Sequence, residues 1–199
     1  MRKRLFPLLL ISCVFISACQ KNSVKPEIEP GVSEARSAGS EILVRHQTAA
    51  DSALDNVTGY LRLQLAKDSI NTDNVLISFR PAAKTRYVSN EDAPTFQGFG
   101  VVSMSSLSSD NVALAINALP LSKKGVTIAL KVTAKTDGAY TLNMNAINSI
   151  PQIYDIWLRD TYKKDSVNLR LNPIYAFDLN NSDTNSFGNQ RFKLVVREK

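Results

Sequence analysis

The segment Val126-Thr127-Ile128-Ala129-Leu130-Lys131-Val132 places a large apolar side chain at every second position. Because successive side chains of a β-strand point to opposite faces, this period of two predicts a strand with one buried face. Four further segments repeat the pattern, at residues 61–65, 140–144, 167–171 and 192–196. Less regular apolar runs predict six more strands, at residues 41–45, 74–79, 98–104, 112–116, 153–158 and 174–179.

Turn-forming residues separate these strands. They occur in Asn71-Thr72-Asp73-Asn74, Ser108-Ser109-Asp110-Asn111, Asp137-Gly138 and Asn180-Asn181-Ser182-Asp183. Only the stretch 46–56 reads as a short helix or a long loop. About eleven strands between turns of this kind predict an all-β fold, namely a single-domain antiparallel β-sandwich of jelly-roll-like type.

Two charged residues are predicted to hold one end of this sandwich together. Asp160 follows a strand, where an aspartate commonly accepts hydrogen bonds from backbone N–H groups two residues on. Arg191 precedes the last strand pattern, and its guanidinium could bind such an aspartate bidentately. A structural role in the turns is the preferred interpretation, and a binding surface is the alternative.

The N-terminus has the layout of a secretory signal. Met1-Arg2-Lys3-Arg4 is basic, residues 5–16 are almost entirely apolar, and Ile16-Ser17-Ala18-Cys19 closes the segment. The apolar run is shorter than the ~20 residues that a membrane-spanning helix needs. Ile16-Ser17-Ala18-Cys19 resembles the lipobox of bacterial lipoproteins, which implies lipid transfer to the Cys19 thiol and cleavage after Ala18. Two or more acyl chains would then hold the protein stably on a membrane.

The chain is therefore predicted to have three parts. Residues 1–18 are the lipoprotein signal peptide, residues 19–40 the lipidated cysteine and a flexible tether, and residues 41–199 the β-sandwich domain. The tether is polar and contains Pro26, Pro30 and Gly31, so it offers little apolar area to offset the entropy of ordering. An extra edge strand or short helix around residues 33–38 is the alternative.

Loss of the signal peptide changes the charge and the cysteine count. Of 24 basic residues, Arg2, Lys3 and Arg4 are removed, which leaves 24 − 3 = 21 against 18 acidic residues, a net charge of +3. This small excess gives little reason to expect a nucleic-acid partner. Cys13 leaves with the signal and Cys19 carries the lipid, so disulfides and cysteine-based metal sites are not expected.

Residues 59–196 resemble a β-sandwich module of secreted and surface proteins of Bacteroidetes. The resemblance rests on the order and spacing of short segments: residues 60–65, 73–79, 91–93, 108–110, 114–120, 138–142, 156–160, 175–177 and 191–196. It implies a non-catalytic module, which in those proteins often precedes a C-terminal secretion-sorting tail. The sequence stops at Lys199 directly after the last strand pattern, so the expected anchor is the N-terminal lipid.

The inventory of side chains argues against catalysis. His46 is the one histidine, and neither Gly-x-Ser-x-Gly nor His-Glu-x-x-His occurs. Asp155, Asp160 and Asp165 are the candidates for a glycosidase-type carboxylate pair, although strand ends and turns account for all three. Residues 178–185 lack the glycine and glutamate spacing of an EF-hand loop, which leaves an irregular calcium site there as the alternative. No cofactor is predicted.

Aromatic residues are the remaining candidates for ligand binding. Trp157, Tyr154 and Tyr162 are the candidate ligand-binding residues, because aromatic rings beside polar groups suit stacking on sugars. Tyr154 and Trp157 lie on opposite faces of one strand, and the Tyr154 face is the more uniformly apolar. This difference could leave Trp157 partly exposed, but a place in the core is the preferred interpretation of the aromatic residue, and a ligand-binding face is the alternative.

Together these features predict a lipid-anchored protein of the cell envelope, on either face of the outer membrane. Its predicted role is structural or adhesive, without catalysis. The alternative is a carbohydrate-binding lipoprotein of a glycan-uptake system. The expected partners are the membrane, through the lipid on Cys19, and a glycan or another envelope protein.

Overall fold

The computed structural model describes residues 57–96 and 100–199, and these residues form an all-β domain. Its helical content is a single turn of 3₁₀ helix at Thr184–Ser186. The predicted all-β class is thereby confirmed. The strands are β1 Gly59–Ala66, β2 Thr72–Phe79, β3 Ala93–Pro94, β4 Val102–Leu107, β5 Ala113–Leu119, β6 Val126–Ala134, β7 Gly138–Asn148, β8 Tyr154–Asp160, β9 Asp165–Asn168, β10 Ile174–Leu179 and β11 Gly188–Glu198.

All eleven strands belong to one hydrogen-bonded sheet. Its order is β10-β7-β1-β2-β5-β4-β6-β11-β8-β9, with β3 paired to β5. Every pairing is antiparallel except that of β2 with β5, which is parallel. The sequence predicted antiparallel strands throughout, so this pair is a correction. It arises because the chain crosses over through residues 80–112 before it returns beside β2.

The sheet curls so that its inner face surrounds one hydrophobic core. Alternating residues of eight strands line this core, including Leu63 of β1, Ile77 of β2, Leu130 of β6 and Leu194 of β11. β10, at one end of the sheet, approaches β8, the last strand but one at the other end, where the Tyr175 hydroxyl donates to the Asp160 carboxylate at 3.2 Å. Tyr175 also packs edge-on against Phe192 of β11, with ring centroids 6.4 Å apart.

The predicted strand at residues 167–171 differs from the structure. β9 ends at Asn168, and Leu171, which the pattern placed inside, is 77% exposed. Asn168 itself ends the strand. Its side-chain oxygen accepts from the Arg170 N–H at 3.0 Å, and its carbonyl accepts from the N–H groups of Leu171 and Asn172. Arg170 then donates to the carbonyls of Ile150, Pro151 and Tyr154, which turns the chain away from the sheet.

The first predicted turn is also displaced. β2 begins at Thr72, inside the turn predicted at residues 71–74. The turn-forming residue is Asp68, whose carboxylate accepts from the N–H groups of Ile70 and Asn71 at 2.9 and 2.8 Å. Asp73 has a different role, because its carboxylate accepts the Met104 N–H at 2.7 Å and ties β2 to β4.

The predicted turn at residues 108–111 is confirmed. The Ser108 hydroxyl donates to Asp110 at 2.6 Å and accepts the Val112 N–H at 3.0 Å. Asn111 takes the left-handed conformation with φ 62°, which asparagine tolerates better than most residues. Asp110 also accepts the Tyr87 N–H at 2.9 Å, so this turn holds the crossover segment in place.

Candidate functional site

A buried ion pair stands at the end of the sheet where β8, β10 and β11 converge. Arg191 Nη2 lies 2.8 Å from Asp160 Oδ2, and Nε lies 3.1 Å from both carboxylate oxygens. The side chains of both residues are fully buried. The predicted bidentate pairing of Arg191 with an aspartate at the end of a strand is therefore confirmed for Asp160.

The remaining polar atoms of this pair also form hydrogen bonds. Asp160 Oδ1 accepts the N–H groups of Tyr162 and Lys163 at 3.0 and 3.1 Å, as expected for an aspartate that forms a turn. Arg191 Nη1 donates to the carbonyls of Asp178 and Ser186. Burial opposes ionisation of Asp160, but the hydrogen bonds and charge of Arg191 outweigh it, so the pKa of this carboxyl lies below its ordinary value. A carboxylate held this way is suited to stabilising the fold rather than to proton transfer.

Three aromatic rings surround the guanidinium of Arg191. Its central carbon lies 5.0 Å from the ring centroid of Tyr162, 4.8 Å from that of Phe177 and 4.7 Å from that of Phe192. Such distances favour cation–π attraction. No local sequence pattern predicts this arrangement, because the rings come from β10, β11 and the loop after β8.

Tyr162 is the solvent-facing member of these three rings. It is 45% exposed, while Arg191 directly beside it is fully buried. Its hydroxyl donates to Asp183 Oδ2 at 2.8 Å. This hydrogen bond and the charge of Asp183 raise the pKa of Tyr162, so the phenol stays protonated at neutral pH. Tyr162, one of the three predicted binding residues, is thus held by the hydrogen bond of its hydroxyl and by Arg191 beside its ring, and it is open to solvent.

A groove of about 400 Å³ begins at Tyr162 and runs along the start of β11. Phe187 contributes a second, half-buried aromatic ring to it, and Asn185, Asn189 and Gln190 contribute exposed amides. None of the eight lining residues carries a formal charge at neutral pH. The loop that forms one wall is held by Asp183, which accepts the Asn185 N–H, and by Ser186, whose hydroxyl donates to the Asn180 carbonyl at 2.7 Å.

Trp157 lies on the outer face of β8, where it is half-buried. Arg197 of β11 covers its ring, with the guanidinium carbon 5.8 Å from the centroid. The indole Nε1 is shielded from solvent and has no hydrogen-bond acceptor within the described residues. Trp157 therefore lies outside the core, which corrects the preferred interpretation of the sequence, and a basic side chain shares its surface.

Tyr154 does not reach a binding surface. It is fully buried and belongs to the hydrophobic core of the domain. A buried ring cannot stack on a ligand from solvent, so the choice of Tyr154 as a ligand-binding residue is corrected here. The structure thus separates the three predicted residues: Tyr162 lines the groove, Trp157 lies on the outer sheet face, and Tyr154 is internal.

Each of the three candidate acidic residues is hydrogen-bonded within the fold. Asp155 accepts the Asn168 amide at 3.1 Å, Asp160 is paired with Arg191, and Asp165 accepts the N–H of Ser166. Within residues 57–96 and 100–199, no three acidic, histidine or cysteine side chains come close enough to hold a metal ion. In the predicted loop at residues 178–185, Asp183 instead binds Tyr162 and caps the 3₁₀ helix.

Several predictions concern residues outside the described ranges. The signal peptide, the lipid acceptor Cys19, the tether, the strand at residues 41–45 and His46 all lie there. Among the residues that the structure does describe, no helix is long and apolar enough to span a membrane. Comparison of the chain with protein-family models, curated proteins and solved structures finds no match.

Proposed function

We propose that this protein is a lipid-anchored, non-catalytic module of the cell envelope with a structural or adhesive role. The observation that supports the non-catalytic role is the use of the acidic side chains. Asp73, Asp110 and Asp160 each hold backbone N–H groups of the fold, and Asp92 does the same for Val88 and Ala118. Groups committed in this way to the fold are poorly placed for acid–base chemistry.

The proposed anchor is a lipid on Cys19, placed by the lipobox-like Ile16-Ser17-Ala18-Cys19. A membrane location, with the outer membrane as the preferred one, follows from this modification. We further propose that the domain is a jelly-roll-like sandwich of the Bacteroidetes surface type. In support, the strands on the two sides of the curled sheet pack their inner faces into one common core.

Metabolic labelling tests the anchor. Cells that express the full chain are grown with a labelled fatty acid, and incorporation is compared between the wild type and Cys19→Ala. We expect label in the wild type and none in the variant, which should accumulate as the unprocessed precursor. Cys13→Ala is the matched control and should be labelled normally. A wild type without label would overturn the lipoprotein proposal.

A second candidate function is carbohydrate binding within a glycan-uptake system. The observation that favours it is the groove beside Tyr162, where a fixed and exposed aromatic ring adjoins three amide side chains. Aromatic rings supply stacking surface and amides supply hydrogen bonds to hydroxyl groups. Binding of the purified full chain to immobilised polysaccharides is the direct test.

A further inference from the structure

We infer that the groove formed by Tyr162, Phe187, Asn185, Asn189 and Gln190 is a binding site for an uncharged glycan, with Tyr162 as the stacking platform. This inference rests on the carbohydrate-binding function proposed above. It adds the location of the site, the class of ligand and the residue on which the ligand stacks.

The position of Tyr162 is the first argument. Arg191 is fully buried and its guanidinium lies 5.0 Å from the Tyr162 centroid, so the cation lies on the protein side of the ring. The 45% exposure of Tyr162 must then come largely from the other side. A ring with one face supported by the protein and the other open to solvent is the geometry that stacking on a sugar requires.

The fixation of the ring is the second argument. The Tyr162 hydroxyl is bonded to Asp183 and its backbone N–H to Asp160, at 2.8 and 3.0 Å. The neighbouring Thr161 is fixed as well, because its N–H and hydroxyl donate to the Arg191 carbonyl of β11 at 2.8 and 2.9 Å. A platform that is already in place loses little conformational entropy on binding, which favours affinity.

The absence of charge in the groove is the third argument, and it selects the ligand class. Its eight lining residues are two aromatic residues, three amides, two threonines and a glycine. Amides and hydroxyls can both donate and accept, as the hydroxyl groups of a neutral sugar require. An anionic glycan would need a cation, and the Arg191 guanidinium has no accessible surface because Asp160 and two carbonyls already occupy it.

The outer face around Trp157 fits this ligand class less well. Arg197 lies over the Trp157 ring, and Asp155 and Arg159 lie on the same strand face, so an uncharged ligand there would meet charged groups of both signs. The two aromatic residues can therefore be distinguished by experiment.

The test measures binding of the full chain, purified in detergent, to soluble polysaccharides by affinity electrophoresis and isothermal titration calorimetry. The neutral probes are a β-glucan, a mannan, a galactan and a xylan, and the anionic probes are polygalacturonate and chondroitin sulfate. We expect at least one neutral probe to bind and the anionic probes not to bind. Tyr162→Ala should weaken that binding by about tenfold or more, because it removes the stacking surface. Tyr162→Phe, which keeps the ring but loses the bond to Asp183, should weaken it less.

Tyr60→Ala is the matched control, since Tyr60 is a 37% exposed tyrosine of β1 outside the groove. It should bind as the wild type does, and the melting temperature of every variant should show that the domain is folded. Unchanged affinity in a folded Tyr162→Ala variant would overturn the inference. If Trp157→Ala alone lost binding, the carbohydrate-binding function would stand and the groove would be the wrong site. Binding of the anionic probes only would overturn the inference and leave the carbohydrate-binding function standing, whereas binding of none of the six would overturn both.

Discussion

At the scale of single residues, Asp160 and Arg191 form an ion pair whose two side chains are fully buried. Taking two charges out of water is costly, and their attraction repays that cost only if the remaining polar atoms are also bonded. Here both carboxylate oxygens and the guanidinium nitrogens have partners in the loop after β8, in β10 and beside the 3₁₀ helix. The pair therefore fixes the position of the groove as well as the end of the sheet.

Asp160→Asn should destabilise the domain by about 3–5 kcal/mol, because the buried Arg191 cation would lose its counter-charge. The measurement is urea unfolding followed by circular dichroism. Asp178→Asn is the control, since Asp178 is exposed and offers Arg191 only its backbone carbonyl. This control should unfold within about 0.5 kcal/mol of the wild type, as surface substitutions usually do. Equal stabilities of the two variants would contradict a structural role for the pair.

At the scale of the strand, alternation decides which side chains enter the core. Leu130 in β6 is fully buried, whereas its neighbour Lys131 is partly exposed on the outer face opposite Ser105 of β4. A register shift of one residue would expose Leu130 and bury Lys131, so the burial of Leu130 fixes the register of β6.

Leu130→Asp should prevent stable folding, because an unpaired charge in an apolar core costs several kcal/mol. Lys131→Asp should leave the free energy of unfolding within about 1 kcal/mol of the wild type, since its side chain reaches solvent. Soluble yield and thermal melting of both variants provide the comparison. Similar stabilities of the two variants would contradict the assignment of Leu130 to the inner face and Lys131 to the outer face of β6.

The strand predictions were correct where apolar and polar residues alternate over many positions. They were wrong where a side chain hydrogen-bonds the backbone and ends the strand early. β10 was predicted with its observed bounds, and β6, β7 and β11 extend beyond the predicted cores of their patterns. In β9 the apolar period continues to Leu171, but Asn168 hydrogen-bonds the following backbone and ends the strand. Periodicity reports only which face a side chain would occupy, and it carries no information on a competing bond from side chain to backbone.

At the scale of the whole molecule, the order of strands in the sheet lies beyond sequence patterns. β1 pairs with β2, its neighbour in the chain, but also with β7, and β7 pairs with β10. Long connections bring these strands together, and their turn residues do not encode the partner. The candidate site depends on the same long-range order: Tyr162, Arg191 and Asp183 were each visible in the sequence, but their meeting required the closure of β8, β10 and β11.

The ionisable groups of the domain together set how its stability depends on pH. Hydrogen bonds lower the pKa of Asp68, Asp110 and Asp183, and Arg191 does so for Asp160 against the effect of burial. A lowered carboxyl pKa contributes stability that is fully present above the unfolded pKa of about 3.9 and is lost as the pH falls through the folded value. Burial and the charge of Asp160 raise the pKa of Tyr175, which stabilises the fold only while this phenol is protonated.

The melting temperature should therefore be nearly constant between about pH 5 and pH 9, fall below about pH 4 as the aspartates take up protons, and fall again above about pH 10 as Tyr175 is forced to ionise. Differential scanning calorimetry from pH 2 to pH 11 measures this profile. The neutral plateau is expected because the chain contains one histidine, His46, and no other side chain with an ordinary pKa in that interval apart from cysteine. A change in stability centred near pH 6.5 would contradict the plateau and assign His46 a role in the fold, which His46→Gln would then abolish.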